Sequence, residues 1–214
     1  MVMCSFAQNN ERTLIKMQTN MGDIIIALYD ETPGHSNNFK KLVEEGVYDS
    51  LMFHRVINDF MIQGGDPASK NADKGDLLGD GNMGYLLDSE FKTPEIYHKR
   101  GAIAMAREGD AANPERKSSS SQFYIVTGKV FSDAQLDRVQ ERIDKYTDGK
   151  VKLTPEMRNT YKTIGGTPHL DGQYTVFGEV VEGMDVVDKI QRVSTDENDR
   201  PLEDVRIIKA EVIK

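Results

Sequence analysis

Residues 53–66 read Phe-His-Arg-Val-Ile-Asn-Asp-Phe-Met-Ile-Gln-Gly-Gly-Asp. One cation, Arg55, and one amide, Gln63, stand among Phe53, Val56, Ile57, Phe60, Met61 and Ile62. An arginine carries five donors, no acceptor and a permanent charge. Sinking it among apolar neighbours is costly unless something uses it. In strand geometry, side chains two apart share a face. Arg55, Ile57, Met61 and Gln63 then point one way, given an irregular step at Asn58-Asp59. A charged fork over an apolar floor can donate hydrogen bonds to a bound group while the floor holds it. This reads as a site rather than plain core.

Other chemistry finds less support. His35, His54, His98 and His169 are scattered without metal-ligand spacing, so no metal is expected. His54 reads as a satisfied core histidine rather than a base. The serines at 118–121 could be paired with these histidines as a hydrolase, but no Gly-x-Ser-x-Gly elbow exists. Residues 79–84, Gly-Asp-Gly-Asn-Met-Gly, are a literal G-x-G-x-x-G. They follow a polar loop and lead into Tyr85-Leu86-Leu87 without a helical pattern, so the glycines are expected to serve turns and no cofactor is expected. Asp73, Asp76, Asp80 and Asp88 match no EF-hand spacing and read as a solvated acidic loop.

A chain of 214 residues fits one domain with a decorated core, or at most two small ones. No apolar run approaches the roughly 20 residues that span a bilayer. The formal net charge of -8 argues against nucleic acid as a partner and reads as solubility. Cys4 is the single cysteine, so no internal disulfide can form. Near the start, Ser5-Phe6-Ala7 has the small-x-small pattern of a signal-peptidase site. Residues 1–12 are therefore expected to be a signal-peptide remnant or a disordered leader, and the compartment periplasmic or extracellular, with the cytoplasm as the alternative. Residues 13–214 are expected to be the folded domain.

The periodicities place the elements around the site. Residues 14–29 alternate as a β-hairpin turning at Asn20-Met21-Gly22-Asp23. Thr32-Pro33 opens a helix with threonine as cap, Phe39, Leu42 and Val43 as the apolar face, and Gly46 as the stop. Residues 101–106 and 121–127 read as buried strands separated by a polar loop. Then the period changes. Ser132-Asp133-Ala134-Gln135 is a capping box, followed by Leu136, Val139 and Ile143 at helical spacing. Thr154-Pro155 starts another helix with Met157, Tyr161 and Ile164 on one face, closed by Gly165-Gly166. These two helices form an αα-hairpin. Residues 174–180 read as a strand, 182–190 as a helix and 205–213 as a final strand. Many short strands with peripheral helices suggest a sandwich or a barrel.

The stretch from Phe53 resembles the signature of the cyclophilin-type peptidyl-prolyl isomerases: Phe-His-Arg, then Phe-Met, then Gln-Gly-Gly-Asp. Three more segments are similar to that family: His98-Lys99-Arg100-Gly101-Ala102-Ile103-Ala104-Met105-Ala106, Ser121-Gln122-Phe123-Tyr124-Ile125, and Leu170-Asp171-Gly172-Gln173-Tyr174-Thr175-Val176-Phe177-Gly178. The resemblance implies a mainly β fold: a closed eight-stranded antiparallel barrel capped by two helices. It makes the helical hairpin an insertion at about 130–166 in a bacterial-type member, either packing on the barrel or lining the groove. It implies rotation about X-Pro bonds in proline-containing peptides and in unfolded or folding proteins, with no cofactor. Arg55 would donate to the prolyl nitrogen and Gln63 would orient it. Phe60, Met61, Tyr124 and Leu170 would floor the proline pocket. Gln122 and the backbone of Ala106-Arg107 would grip the residues before proline. His169 stands where a tryptophan often sits and Tyr174 where a histidine often sits. Both are expected to line the groove, with cyclosporin binding weak and catalysis retained. Tyr124 replaces a phenylalanine, so its hydroxyl needs a partner. A monomer is expected. The rival reading is a peptide-binding or chaperone module of the same fold without turnover.

Overall fold

The computed structural model describes residues 12–214. The leader expected at 1–12 lies outside the described residues except for Arg12, which belongs to the folded body. The Arg12 guanidinium sits 4.6 Å from the Tyr29 ring centroid and pairs with Glu31 and Glu179 at 3.6 and 3.5 Å.

Strands β1 (Leu14–Thr19) and β2 (Gly22–Leu28) form the expected hairpin, in register from Leu14↔Ala27 to Thr19↔Gly22. Ile15, Met17, Ile24 and Ile26 face the core. Helix α1 (Pro33–Glu44) buries Phe39, Leu42 and Val43 as its spacing demands. Thr32, however, makes no capping bond, and its buried hydroxyl oxygen meets no partner. The Glu90 carboxylate takes the N–H groups of Gly34 and His35 instead, at 3.1 and 2.9 Å. A carboxylate at the positive end of the helix dipole satisfies the donors that a threonine could have held.

Strands β3 (Arg55–Ile57) and β4 (Met61–Gly64) pair across the irregular step, where Asp59 adopts a left-handed φ of 57°. The short β5 (Leu86–Leu87) pairs with β7 (Ser118–Ser119), while β6 (Ala102–Met105) and β8 (Phe123–Val126) lie side by side. Helices α2 (Asp133–Thr147) and α3 (Pro155–Thr163) follow, then β9 (Val176–Glu182), α4 (Met184–Ile190) and β10 (Ile207–Val212). The helix expected from 182 begins at Met184, because β9 runs on to Glu182 and Gly183 turns the chain at φ 90°.

Eight strands form one antiparallel sheet in the order β10-β1-β2-β9-β6-β8-β4-β3. The expected closed barrel is corrected here: the sheet curls into a half-barrel whose edge strands, β10 and β3, do not pair. The gap is spanned by the irregular chain just before β3. Ser50 and Phe53 donate to the carbonyls of Ile207 and Val205 at 2.7 and 2.8 Å, and Ile207 donates to Leu51 at 2.8 Å. Ser50 has φ 72°, which breaks the extended run that a full ladder would need.

Strands β6 and β8 are buried along their whole length. Because side chains alternate, their two faces serve different purposes. Ile103, Met105, Phe123 and Ile125 join the main core with Phe39, Tyr48, Phe53 and Phe177, and with Val186, Val187 and Ile190 from α4. Ala102, Ala104, Tyr124 and Val126 turn the other way, into a second cluster with Tyr29, Met61 and Val176. That second cluster is the floor of the site.

The helical hairpin has its own core of Leu136, Ile143, Leu153, Met157 and Tyr161. Ser132 and Gln135 form the reciprocal capping box, and Thr154 accepts from Met157 N–H at 3.2 Å. Ile164, expected on the inner face, is instead exposed, because α3 ends one residue before it. Gly165-Gly166 turns the chain back against its entry, where Gly166 and Lys129 exchange backbone hydrogen bonds. At Gly166, φ is 151° and a Cβ would collide with the backbone of His98 and Lys99, so only glycine fits.

Candidate active site

On the face of the sheet away from the main core lies a pocket of about 150 Å³. Of the residues singled out from the sequence, Arg55, Phe60, Met61, Gln63, Ala106, Arg107, Tyr124, Leu170 and Tyr174 line it. The β3–β4 register explains part of this convergence. Arg55 lies opposite Gln63 and Ile57 opposite Met61, so these four share one face, as expected from their spacing. Gln122 and His169 do not line the pocket. Gln122 lies in an adjoining groove of about 260 Å³, which shares Gln63, Ala106 and Arg107 with it. His169 backs the wall by stacking on Phe60, with ring centroids 5.6 Å apart.

Arg55 is not sunk among apolar groups. Its side chain is 45 % exposed at the pocket wall, and its Nε faces Asp199 Oδ2 at 3.5 Å. The backbone reinforces that contact, with Val56 N–H donating to Asp199 O at 2.8 Å. Gln63 does not hold Arg55 here: its amide nitrogen donates to Gln122 Oε1 at 3.0 Å. Gln122 in turn donates to the carbonyls of Gly79 and Gly81, both at 2.7 Å. The G-x-G-x-x-G segment thus forms a wall of the groove, and its Gly79 and Gly84 have positive φ, as turn glycines should. Asp199 carries no motif of its own; it sits in a turn far along the chain and becomes Arg55's partner only through the fold.

A far less exposed arginine at the pocket is Arg107, whose side chain is 3 % exposed. It donates to the carbonyls of Gln173 and Glu108, pairs with Asp110 at 2.7 Å and lies 4.5 Å from the Tyr174 ring centroid. A cation over an aromatic face, held by bonds from Nε and Nη1, fixes Tyr174 at the pocket edge. Tyr174 also meets Tyr124 edge-on at 6.0 Å. The Tyr124 hydroxyl, which needed a partner, finds His98 Nε2 at 3.0 Å. Burial raises the Tyr124 phenol well above its ordinary range, so it stays protonated.

The remaining histidines divide by environment. His169 is pulled down to a pKa of about 4, first by burial and then by Arg142. His54 is buried but not satisfied, against expectation: neither ring nitrogen meets a partner in good hydrogen-bonding geometry. Burial draws its pKa down to about 4, against the opposing pull of Asp66. His35 bonds Glu90 through Nδ1 at 2.6 Å and Ser118 Oγ through Nε2 at 2.9 Å. That is a Ser-His-Glu arrangement, yet His35 is 0 % and Ser118 2 % exposed, so no substrate can reach it. It ties α1 to the β7 segment. Among the described residues, no cluster of His, Cys, Asp and Glu is built to hold a metal, and no helix is long and apolar enough to cross a membrane.

Comparison with known proteins gives the family. Residues 14–212 match the family model described as cyclophilin type peptidyl-prolyl cis-trans isomerase/CLD. The chain is 34 % identical over 197 residues to the peptidyl-prolyl cis-trans isomerase ppi1 of Schizosaccharomyces pombe, covering 92 % of this chain and 96 % of that one. It is 36 % identical over 208 residues to a Streptococcus pyogenes protein provisionally named a bifunctional phosphatase/peptidyl-prolyl cis-trans isomerase, covering 96 % of this chain and 40 % of that longer one. Among solved structures, a cyclophilin-type isomerase of Cryptosporidium parvum superposes with a TM-score of 0.66 at 23 % identity, covering 95 % of this chain and 98 % of that one.

Proposed function

The chain belongs to the cyclophilin-type peptidyl-prolyl cis-trans isomerases, and we propose that the pocket beside Arg55 is where it turns over X-Pro bonds in proline-containing peptides and folding proteins. The observation that carries this reading is the meeting of Arg55 with Phe60, Met61, Tyr124 and Leu170 around one small apolar notch.

Rotation about an X-Pro bond crosses a barrier of about 18–20 kcal/mol, and uncatalysed it takes roughly tens to hundreds of seconds. No bond breaks, so no nucleophile is required. As the amide twists, conjugation is lost, the prolyl nitrogen becomes pyramidal and its lone pair appears. A donor held at that nitrogen binds the twisted state more tightly than either planar state, which is what accelerates the reaction. Arg55, at the pocket wall, is the donor in this reading. Its always-charged guanidinium needs no proton transfer, and Asp199 restrains it through Nε, leaving the outer nitrogens free to turn to the peptide.

The proline ring fits the notch formed by Phe60, Met61, Tyr124 and Leu170. The segment before proline runs past Ala106-Arg107 toward Gln122 and the groove at Gly79–Gly81. Binding there positions the peptide and excludes water from the twisting bond. The test is a prolyl-peptide isomerisation assay with an Ala-Pro substrate. The wild-type chain is expected to accelerate the cis-to-trans change far beyond the uncatalysed rate; a rate equal to the uncatalysed one would leave only a peptide-binding module.

A further inference from the structure

A chain of buried hydrogen bonds joins the inserted helical hairpin to the floor of the proline pocket. Tyr161, on α3, donates from its hydroxyl to Asp171 Oδ2 at 2.6 Å. Asp171 Oδ1 accepts from the His98 backbone N–H and meets His98 Nδ1, both at 2.9 Å. His98 Nε2 meets the Tyr124 hydroxyl at 3.0 Å. Exposure is 0 % for Tyr161 and Asp171, 1 % for His98 and 4 % for Tyr124.

The direction of each bond follows from the chemistry. A carboxylate only accepts, so Asp171 Oδ1 fixes the proton of His98 on Nδ1. With one ring proton, held on Nδ1, Nε2 is the bare nitrogen and accepts from the Tyr124 hydroxyl at 3.0 Å. The Tyr124 O–H is thereby turned toward His98 and away from the pocket, leaving the ring to face the proline. The rings reinforce this, with His98 and Tyr124 stacked at 6.1 Å and 12°. Asp171 follows Leu170, another floor residue, so one end of the carboxylate's grip also sets the floor's second member.

We propose that the inserted hairpin positions the pocket floor: Tyr161, acting through Asp171 and His98, is a positioning residue for isomerisation. This rests on the reading of the Arg55 pocket as the site of turnover. Tyr161 otherwise belongs to the hairpin's core, meeting Tyr97 and Phe131 edge-on at 5.7 and 6.4 Å, so Tyr161→Phe keeps its packing and removes only the hydroxyl. A buried hydrogen bond to a charged group is strong enough that its loss is expected to lower kcat/KM by about fivefold.

The test is a double-mutant cycle in the isomerisation assay, with Tyr161→Phe made in the wild type and in Tyr124→Phe. If Tyr161 acts through the Tyr124 hydroxyl, its removal costs about fivefold in the first background and less than about twofold in the second. Equal losses in both backgrounds, or no loss in the wild type, would overturn the proposal. Ring ¹⁵N shifts of His98 give a readout independent of turnover: a proton on Nδ1 with Nε2 bare is expected, and any form with a proton on Nε2 would overturn it. Failure of the pocket reading has a different signature, full activity in Arg55→Ala, which leaves the His98 tautomer untouched.

Discussion

His54 makes the acid sensitivity of this fold measurable at one residue. In the unfolded chain an imidazole titrates near 6.5, whereas the buried His54 ring titrates at about 4 because burial disfavours its charged form. A depressed folded-state value means that the stability is fully present above the unfolded value and is lost as pH falls toward the folded one. In that window only the unfolded chain binds the proton, at a cost of about 1.4 kcal/mol for each pH unit. Between about pH 7 and about pH 4.5, His54 alone should therefore remove about 2–3 kcal/mol of stability. Replacing it by leucine removes the titration and keeps a side chain of similar size at a buried position. Urea unfolding of the wild type and His54→Leu at the two pH values gives the comparison. The variant should lose about 2–3 kcal/mol less than the wild type over that interval, while the contributions of Glu90 and the other acids cancel between the two proteins. An identical loss in both proteins would refute the assignment of His54 as a buried neutral imidazole.

Further outcomes follow from other contacts. Gly166→Ala forces a Cβ into the His98 backbone at a φ of 151°; it should cost more than about 2 kcal/mol and lower the thermal midpoint by at least about 5 °C. Asp199→Asn removes an ion pair whose side chains are 45 % and 42 % exposed. Unfolding free energy should change by less than about 1 kcal/mol, while kcat falls several-fold because Arg55 loses its restraint. Gln122→Ala frees the carbonyls of Gly79 and Gly81; it should raise KM and speed amide hydrogen exchange across residues 78–82.

What could be read from the sequence was what the chain writes locally. Arg55, Ile57, Met61 and Gln63 share a face because strand spacing requires it, and a β-turn-sized step between them preserves the phase. The capping box at Ser132 and the stripe of α2 are likewise short-range patterns. What escaped were partnerships made by distant segments. Nothing near Thr32 announces that Glu90 would arrive to cap α1, and nothing near Arg55 points to Asp199. The sequence singles out Arg107 only for its backbone, yet Tyr174, Asp110 and two carbonyls bury its side chain at the pocket edge. The half-barrel depends on whether β3 and β10 meet; the irregular chain before β3, from Ser50 to Phe53, bonds Val205 and Ile207 instead, and no hydrophobic pattern marks that. Leu170-Asp171 stood out as a motif, but its tie to Tyr161 became visible only when the hairpin's exit folded back against His98.

The donor role of Arg55 is tested most directly by the isomerisation kinetics of Arg55→Ala and Arg55→Lys, both shown to be folded. Loss of one donor that acts only on the twisted amide should lower kcat/KM by roughly a hundredfold in the alanine variant. The loss should fall in kcat with KM nearly unchanged, and lysine should restore part of it. Full activity in folded Arg55→Ala would contradict the account.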